Sequence, residues 1–322
     1  MKSYLATAHD VYKEAALNPQ KGLCCTTTPV WKLPGLTIPE KMLEMNYGCG
    51  STVNPRDLAD NPTVLYVGVG GGMELLQFAY FSRGPGSVIG VDLVDDMIAA
   101  CRENLDEAGR LNDWFASEYV EIRKGDALAL PATDSSVDVA AQNCLFNIFH
   151  SDELDEALRE IHRVLKPHGR LILSDPIAEE IIPESLRSDE RLRAECLTGA
   201  LPLADYLARL TSVGFGTIEV RARRPYRVLD PRHYGTDRPL LIESVEICAI
   251  KDPIPADGPC IFTGRTAIYF GDGMFDDGNG HMMAFNQPLA VCDKTAAALE
   301  KLGREDLLIT GSTYFYDGGG CC

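Results

Sequence analysis

The chain has 322 residues, 45% of them hydrophobic, with 47 acidic against 30 basic side chains and a formal charge of −17 at pH 7. That balance argues against any extended contact with nucleic acid or an anionic membrane, both of which would meet like charge. No segment reaches the roughly 18–20 uninterrupted apolar residues of a membrane helix. Lys2, Asp10, Lys13 and Glu14 interrupt the N-terminal stretch where a secretion signal needs an apolar run. A cytoplasmic, reducing location is therefore expected, and the 11 cysteines read as thiols or soft-ion ligands rather than a disulfide framework.

Residues 1–62 read as an N-terminal helix followed by a lid or arm. Leu5, Ala8, Tyr12, Ala15 and Ala16 fall at helical spacing. The arm is turn-rich, with Pro29, Pro34, Gly35, Pro39 and the triplet Gly48-Cys49-Gly50, whose glycines suit a loop that closes over a ligand. From Thr63 short apolar strands alternate with helices: strand Thr63–Val67, helix Glu74–Phe81, strand Ser87–Val91, a helix near Asp95–Ala108, then strands Tyr119–Arg123 and Val137–Ala141. Ser151 is expected to N-cap the next helix, with Asp152 and Glu153 at the positive end of its dipole. Arg170–Ser174 follows as a fifth strand.

This alternation implies an α/β fold with a doubly wound, mostly parallel sheet over residues 63–228. Within it, 175–213 reads as a helical insertion and Thr217–Val228 as a return to the sheet. Residues 229–322 change character. Strand-like stretches Ser244–Ile250, Cys260–Phe270, His281–Phe285 and Leu307–Tyr316 surround one helix, Lys294–Leu302, and suggest a smaller C-terminal α+β region ending in a Cys321-Cys322 tail.

The turn after the first strand is Gly68-Val69-Gly70-Gly71-Gly72. A dinucleotide fingerprint would need its third glycine at position 73, where the chain has Met73. The spacing Gly68-x-Gly70-x-Gly72 instead resembles motif I of class I S-adenosylmethionine methyltransferases. Asp92, at the tip of the second strand, stands where a carboxylate can accept both ribose hydroxyls. Asp126, after the third strand, stands where that family has its adenine-contacting acid. The run His162-Arg163-Val164-Leu165-Lys166-Pro167-His168-Gly169-Arg170-Leu171 resembles the family's helix-to-fifth-strand signature. The resemblance implies a Rossmann-like sheet and S-adenosyl-L-methionine as cofactor, held by Tyr47, Gly68, Gly70, Gly72, Asp92, Leu93, Asp126, Ala127 and Asn143. Tyr66 departs from the pattern, since the family often has an acid two residues before the first glycine.

Three separated cysteines carry a narrower resemblance. Tyr47-Gly48-Cys49-Gly50, Asn143-Cys144-Leu145-Phe146-Asn147 and Glu195-Cys196-Leu197-Thr198-Gly199 resemble the arsenic-binding positions of arsenite methyltransferases, over about residues 20–225. The resemblance implies that Cys49, Cys144 and Cys196 are the catalytic thiolates and hold As(III) in a pyramid, as the matching of thiolates to soft centres favours. Arsenite would be the substrate and an external thiol, such as glutathione or thioredoxin, the reductant. Cys24 and Cys25 would form a thiol relay. The region beyond resembles members linked to arsenosugar synthesis.

A buried cysteine is ordinarily a small inert hydrophobe, and Cys101, Cys248, Cys260 and Cys292 are read that way. Two further readings stay open. One is a methyltransferase of a small organic acceptor whose cysteines are structural; the other is a non-catalytic arsenic- or soft-metal-binding protein.

Overall fold

Four successive buried residues, Val64 to Val67, form a strand whose two faces are both covered, the pattern of a parallel strand between helical layers. The computed structural model describes residues 2–20, 23 and 32–314, and the two cysteine pairs Cys24-Cys25 and Cys321-Cys322 lie outside the described residues. Helices α1 (Ser3–Leu17) and α2 (Glu40–Glu44) come first. Then β1 (Val64–Val67), α3 (Met73–Phe81), β2 (Val88–Asp92), α4 (Asp95–Leu111), β3 (Val120–Lys124), β4 (Val137–Asn143), α5 (Ser151–Val164) and β5 (Leu165–Ala178) alternate. Short helices α6 (Glu184–Arg187) and α7 (Glu190–Ala194), strand β6 (Leu201–Pro202) and α8 (Leu203–Val213) follow. Next come β7 (Thr217–Leu229), α9 (Pro231–Tyr234), β8 (Leu240–Ile250) and β9 (Cys260–Phe262). The sheet runs β3-β2-β1-β4-β5-β8-β7-β9, with β6 on the end of β5.

β1 to β5 are parallel to one another, whereas β8 is antiparallel to both β5 and β7. Helix α5 shows why the layers pack. Leu154, Ala157, Leu158, Ile161 and Val164 are buried along one face, while acidic and basic residues occupy the other. The helix begins at Ser151 with Asp152 and Glu153 in its first turn, but His150 is the N-cap and makes no capping bond through its side chain. No described helix is long and apolar enough to cross a membrane.

Three expectations need correcting. The central sheet does not end near residue 228: β8 inserts between β5 and β7, pairing Ile172 with Cys248 on one side and Val220 with Ile247 on the other. The stretch expected as one strand over 260–270 divides at Gly264, whose φ is +83°. β9 stays in the main sheet, while β10 (Thr266–Tyr269) enters a separate small one. β11 (Met274–Asp276) and β12 (Met282–Ala284) pair as a hairpin, and β13 (Leu289–Ala290), α10 (Asp293–Lys301) and β14 (Leu307–Ile309) complete the C-terminal region. The small sheet runs β13-β10-β14 over a core of its own, including Ala267, Tyr269, Val291, Ala296 and Leu299. The segment 175–213 also differs from a helical insertion at its start, because β5 continues to Ala178.

The turn before β1 is fastened to the far side of the sheet by charge. Asp57, its side chain fully buried, accepts from Arg221 Nη2 on β7 at 2.9 Å, from Arg221 Nη1, and from Arg170 Nη1 on β5 at 2.8 Å. Burial alone would raise this carboxyl, but the two guanidinium groups outweigh it and hold it below the ordinary carboxylate range. A depressed acid contributes stability above its unfolded pKa, near 3.8, and that contribution is lost as pH falls through the lower folded value. Asp57→Asn should cost about 3 kcal/mol or more by leaving two arginines half-satisfied. It should also flatten the acid limb of a urea-midpoint profile taken from pH 7 down to pH 2. A variant as stable as the parent, with the same acid limb, would show that the bridge is not what fastens the turn.

Candidate active site

The strand ends of β1, β2 and β4 open on a cavity of about 480 Å³, closed on one side by Leu5, Ala8, His9 and Tyr12 of α1. Its wall includes Tyr47, Gly68, Gly70, Asp92, Leu93, Asp126, Ala127, Asn143 and Cys144. Of the residues expected to hold a cofactor, Gly72 does not line it. Gly72 has φ +87° at the N-cap of α3, and a Cβ there would meet Cys101 Sγ at 2.9 Å, so this glycine permits close packing of α3 on α4. Cys101 is accordingly buried in the core and its thiol is pushed far above the usual range by burial.

Asp92 is held by its own loop. Oδ2 accepts the Val69 N–H at 2.9 Å and Oδ1 the Val94 N–H at 2.9 Å, which ties the glycine turn to the tip of β2. Burial pushes this carboxyl up to about 6, with the backbone donors pulling it back. Asp126 accepts the Leu128 N–H at 3.0 Å. Tyr47 does not project freely into the cavity: its hydroxyl donates to the Ala15 carbonyl at 3.0 Å, joining the arm to α1.

Of the three cysteines, Cys144 lines this cavity, and Cys49 and Cys196 lie on segments bonded to Ser174 and to the Cys144 carbonyl. Cys144 follows β4, and its N–H donates to the Ser174 carbonyl at 2.8 Å. Cys49 Sγ lies 3.3 Å from the Ser174 hydroxyl. Cys196 Sγ donates to the Cys144 carbonyl at 2.6 Å. All three are buried, at 1%, 3% and 0% exposure for Cys49, Cys144 and Cys196, so a ligand reaches them only from inside the cavity or by local opening. Cys144 and Cys196 have φ of 56° and 58°, a left-handed backbone that side-chain-bearing residues seldom adopt. Such strain persists where surrounding structure enforces it. Among the described residues, no three His, Cys, Asp or Glu side chains are gathered as a metal-holding group, so the three thiols do not stand as a ready-made tripod.

Glycines flank Cys49 for a reason the sequence does not reveal. A Cβ on Gly48 would strike the Asn143 amide, and one on Gly50 would strike the Ser174 hydroxyl and the Glu246 carboxylate. They allow close approach to the sheet rather than loop closure. Asn143, expected as a cofactor ligand, lines the cavity but spends its amide on this loop: Oδ1 accepts the Cys49 N–H at 2.9 Å and Nδ2 donates to the Gly50 carbonyl at 2.8 Å. Ser244 on β8 donates to the Cys49 carbonyl at 2.8 Å. Gly199 is similar, since a Cβ there would overlap the Asn147 carbonyl. That packing sets the loop carrying Cys196.

Sequence reasoning missed Glu74 and Tyr66, both in the cavity wall. The signal available was the departure at Tyr66 together with an acid opening the next helix. Burial, and then the charge of Glu74, pushes the Tyr66 phenol well above its usual range. Tyr206 is raised in the same way by burial and Asp175, and both Cys49 and Cys144 act on each phenol. Cys248, buried beside Arg221, is pushed up to about 12, in keeping with a structural role.

Residues 65–173 match the methyltransferase domain family. The chain is 34% identical over 214 residues to an arsenite methyltransferase of Aquipseudomonas alcaligenes, covering 64% of this chain and 60% of that protein. It is 33% identical over 177 residues to an arsenite methyltransferase of Halobacterium salinarum, covering 55% of this chain and 43% of that one. The chain thus spans about half the length of these curated relatives. The crystal structure of an arsenic (III) S-adenosylmethionine methyltransferase from Chlamydomonas reinhardtii superposes with a TM-score of 0.60 at 23% identity, covering 88% of this chain and 97% of that one. The fold is that of the class I methyltransferases.

The Asn143 clamp yields a local prediction. Asn143→Ala removes two hydrogen bonds to the loop, each of about 0.5–1.5 kcal/mol. Amides 48–51 should exchange with deuterium markedly faster, while the global denaturation midpoint moves little. Unchanged exchange in that segment would show that Ser244 and the close packing hold the loop without the amide.

Proposed function

We propose that this chain, a class I methyltransferase of the arsenite methyltransferase family, transfers a methyl group from S-adenosyl-L-methionine to trivalent arsenic held by Cys49, Cys144 and Cys196. The observation that carries the reading is the packing of three sequence-distant cysteines at the end of β4: Cys144 is in the wall of the cavity that Asp92 and Asp126 also line, Cys196 is bonded to the Cys144 carbonyl, and Cys49 lies on Ser174, whose carbonyl takes the Cys144 N–H. The similarity to arsenite methyltransferases over 214 and 177 residues supports it. So does the fit of the cofactor to the cavity, where positive-φ glycines Gly68 and Gly70 keep the wall free of side chains and Asp92 stands at the tip of β2.

When bound, the cofactor supplies an electrophilic methyl group on a sulfonium sulfur. This chain's part is to bind and align. Asp92 and Asp126 would take the nucleoside end, and the glycine turn would accommodate the amino-acid end. The cysteines would present arsenic with its lone pair toward the methyl carbon. That lone pair becomes the As–C bond, so no proton moves and no general base is required at the acceptor. Positioning and the exclusion of water by α1 would supply most of the rate. The arsenic lone pair is consumed in each transfer, and return to the trivalent state takes two electrons. An external thiol such as glutathione or thioredoxin would provide them, with Cys24 and Cys25 as an internal relay. Cytoplasmic location follows from the need for reduced thiols. A methylated arsenical is also the starting material that arsenosugar synthesis would consume.

Cys49→Ser, Cys144→Ser and Cys196→Ser should each lower arsenite methylation by about a hundredfold or more, since each removes an aligning ligand. Cofactor binding should be retained, and Cys101→Ser should cost stability but spare turnover. The assay is methylated product resolved by mass from arsenite, thiol and cofactor. Near-parental rates in two of the three site variants would reject the trithiolate, and methylation of a small organic acceptor in its place would favour structural cysteines.

Cys24→Ser/Cys25→Ser should leave the first methyl transfer intact but slow repeated turnover, most at low thiol concentration, where an internal relay contributes most. Single-turnover and steady-state rates separate the cases. Equal loss in both would assign the pair to arsenic binding, and no loss in either would remove it from the reaction.

A further inference from the structure

We propose that Glu74 is the carboxylate that receives the positively charged amino group of the cofactor, in the place left by the neutral Tyr66. This rests on the reading of the cavity as the S-adenosylmethionine site. Glu74 lies in the first turn of α3, directly after the glycine turn, and forms part of the cavity wall. It is 7% exposed.

Among the described residues, its hydrogen-bond donors are all neutral. Oε1 accepts the Thr52 N–H at 3.0 Å and the Thr52 hydroxyl at 2.6 Å, Oε2 accepts the Tyr66 hydroxyl, and the Asn143 amide lies 3.3–3.4 Å from both oxygens. Tyr66 keeps its proton, because burial and the Glu74 charge both oppose its loss, so it remains a donor to the carboxylate.

The contrast with Asp57 is instructive. There a buried carboxylate serves the fold and is matched by two arginines. Glu74 forms no ion pair with a Lys, Arg or His among the described residues. A charge removed from water without a counter-charge is costly, and a cation bound beside it offsets that cost. Glu74 forms part of the cavity wall, where a cationic ligand would meet it. In the family pattern the acid stands two residues before the first glycine. Here a phenol stands at that position and reaches the acid eight residues further on, in the first turn of α3, so the negative charge is moved along the chain while staying at the same wall.

Glu74 also ties the arm to α3 through Thr52, so the test has to separate a direct contact from a positioning effect. The full chain is titrated by calorimetry with S-adenosylhomocysteine, which carries the amino group, and with its deaminated analogue, both without arsenite. The parent should bind the deaminated ligand at least about tenfold more weakly. In Glu74→Gln the amino-bearing ligand should weaken about tenfold while the deaminated one stays within about twofold, so the difference between them collapses. Equal weakening of both ligands would make Glu74 a residue that only positions the arm, and would overturn the proposal, as would a parent indifferent to the amino group. A parent that binds neither ligand would overturn the cofactor reading of the cavity itself. If Glu74→Gln does not fold, Glu74→Asp is read in its place: the shortened carboxylate should reduce discrimination between the two ligands, and unaltered discrimination would reject the contact.

Discussion

The side-chain amide of Asn143 links two parts of the chain that sequence leaves 94 residues apart, accepting from the Cys49 N–H and donating to the Gly50 carbonyl. Everything near the thiols depends on that join. With the arm drawn onto β4, Cys49 meets Ser174 of β5, Ser244 of β8 reaches the Cys49 carbonyl, and Thr52 falls within reach of Glu74. An amide can do this because it donates and accepts at once. A carboxylate at position 143 would repel Glu74 and lose the donor.

The cysteines are held by different means, and that bears on what they can do. Cys49 lies on a segment pinned by polar bonds between elements. Cys144 lies in a strained turn fixed by β5, and Cys196 in a second strained turn wedged against Asn147. Two of the three thiols are thus placed by backbone conformations that cost free energy, and strain of this kind clusters at functional positions.

Charge is distributed with the same economy. The chain is strongly acidic overall, yet its buried acids are treated individually: Asp57 is neutralised by arginines, Asp92 is held by backbone donors, and Glu74 is surrounded by neutral donors. The second and third face the cavity. A cationic, ribose-bearing ligand complements that pattern, whereas an anionic one would not.

The sequence by itself determined the elements whose causes are local. The glycine turn, the acids at the tips of β2 and β3, and the amphipathic α5 are all encoded by short-range sterics and by periodicity, so strands β1 to β5 were legible to within a residue or two at most ends. The three cysteines were legible as a group only through family likeness, since nothing in their spacing links Cys49, Cys144 and Cys196. Only the tertiary structure decided that β8 wedges between β5 and β7, that Gly48 and Gly50 are glycines for close packing, that Gly72 serves the α3–α4 contact, and that Glu74 is buried with no cationic partner among the described residues. Each of these depends on which distant residue occupies the adjoining space. Strand order, steric exclusion at a Cβ, and the desolvation of a carboxylate are properties of that neighbour as much as of the residue itself, and no local pattern records them.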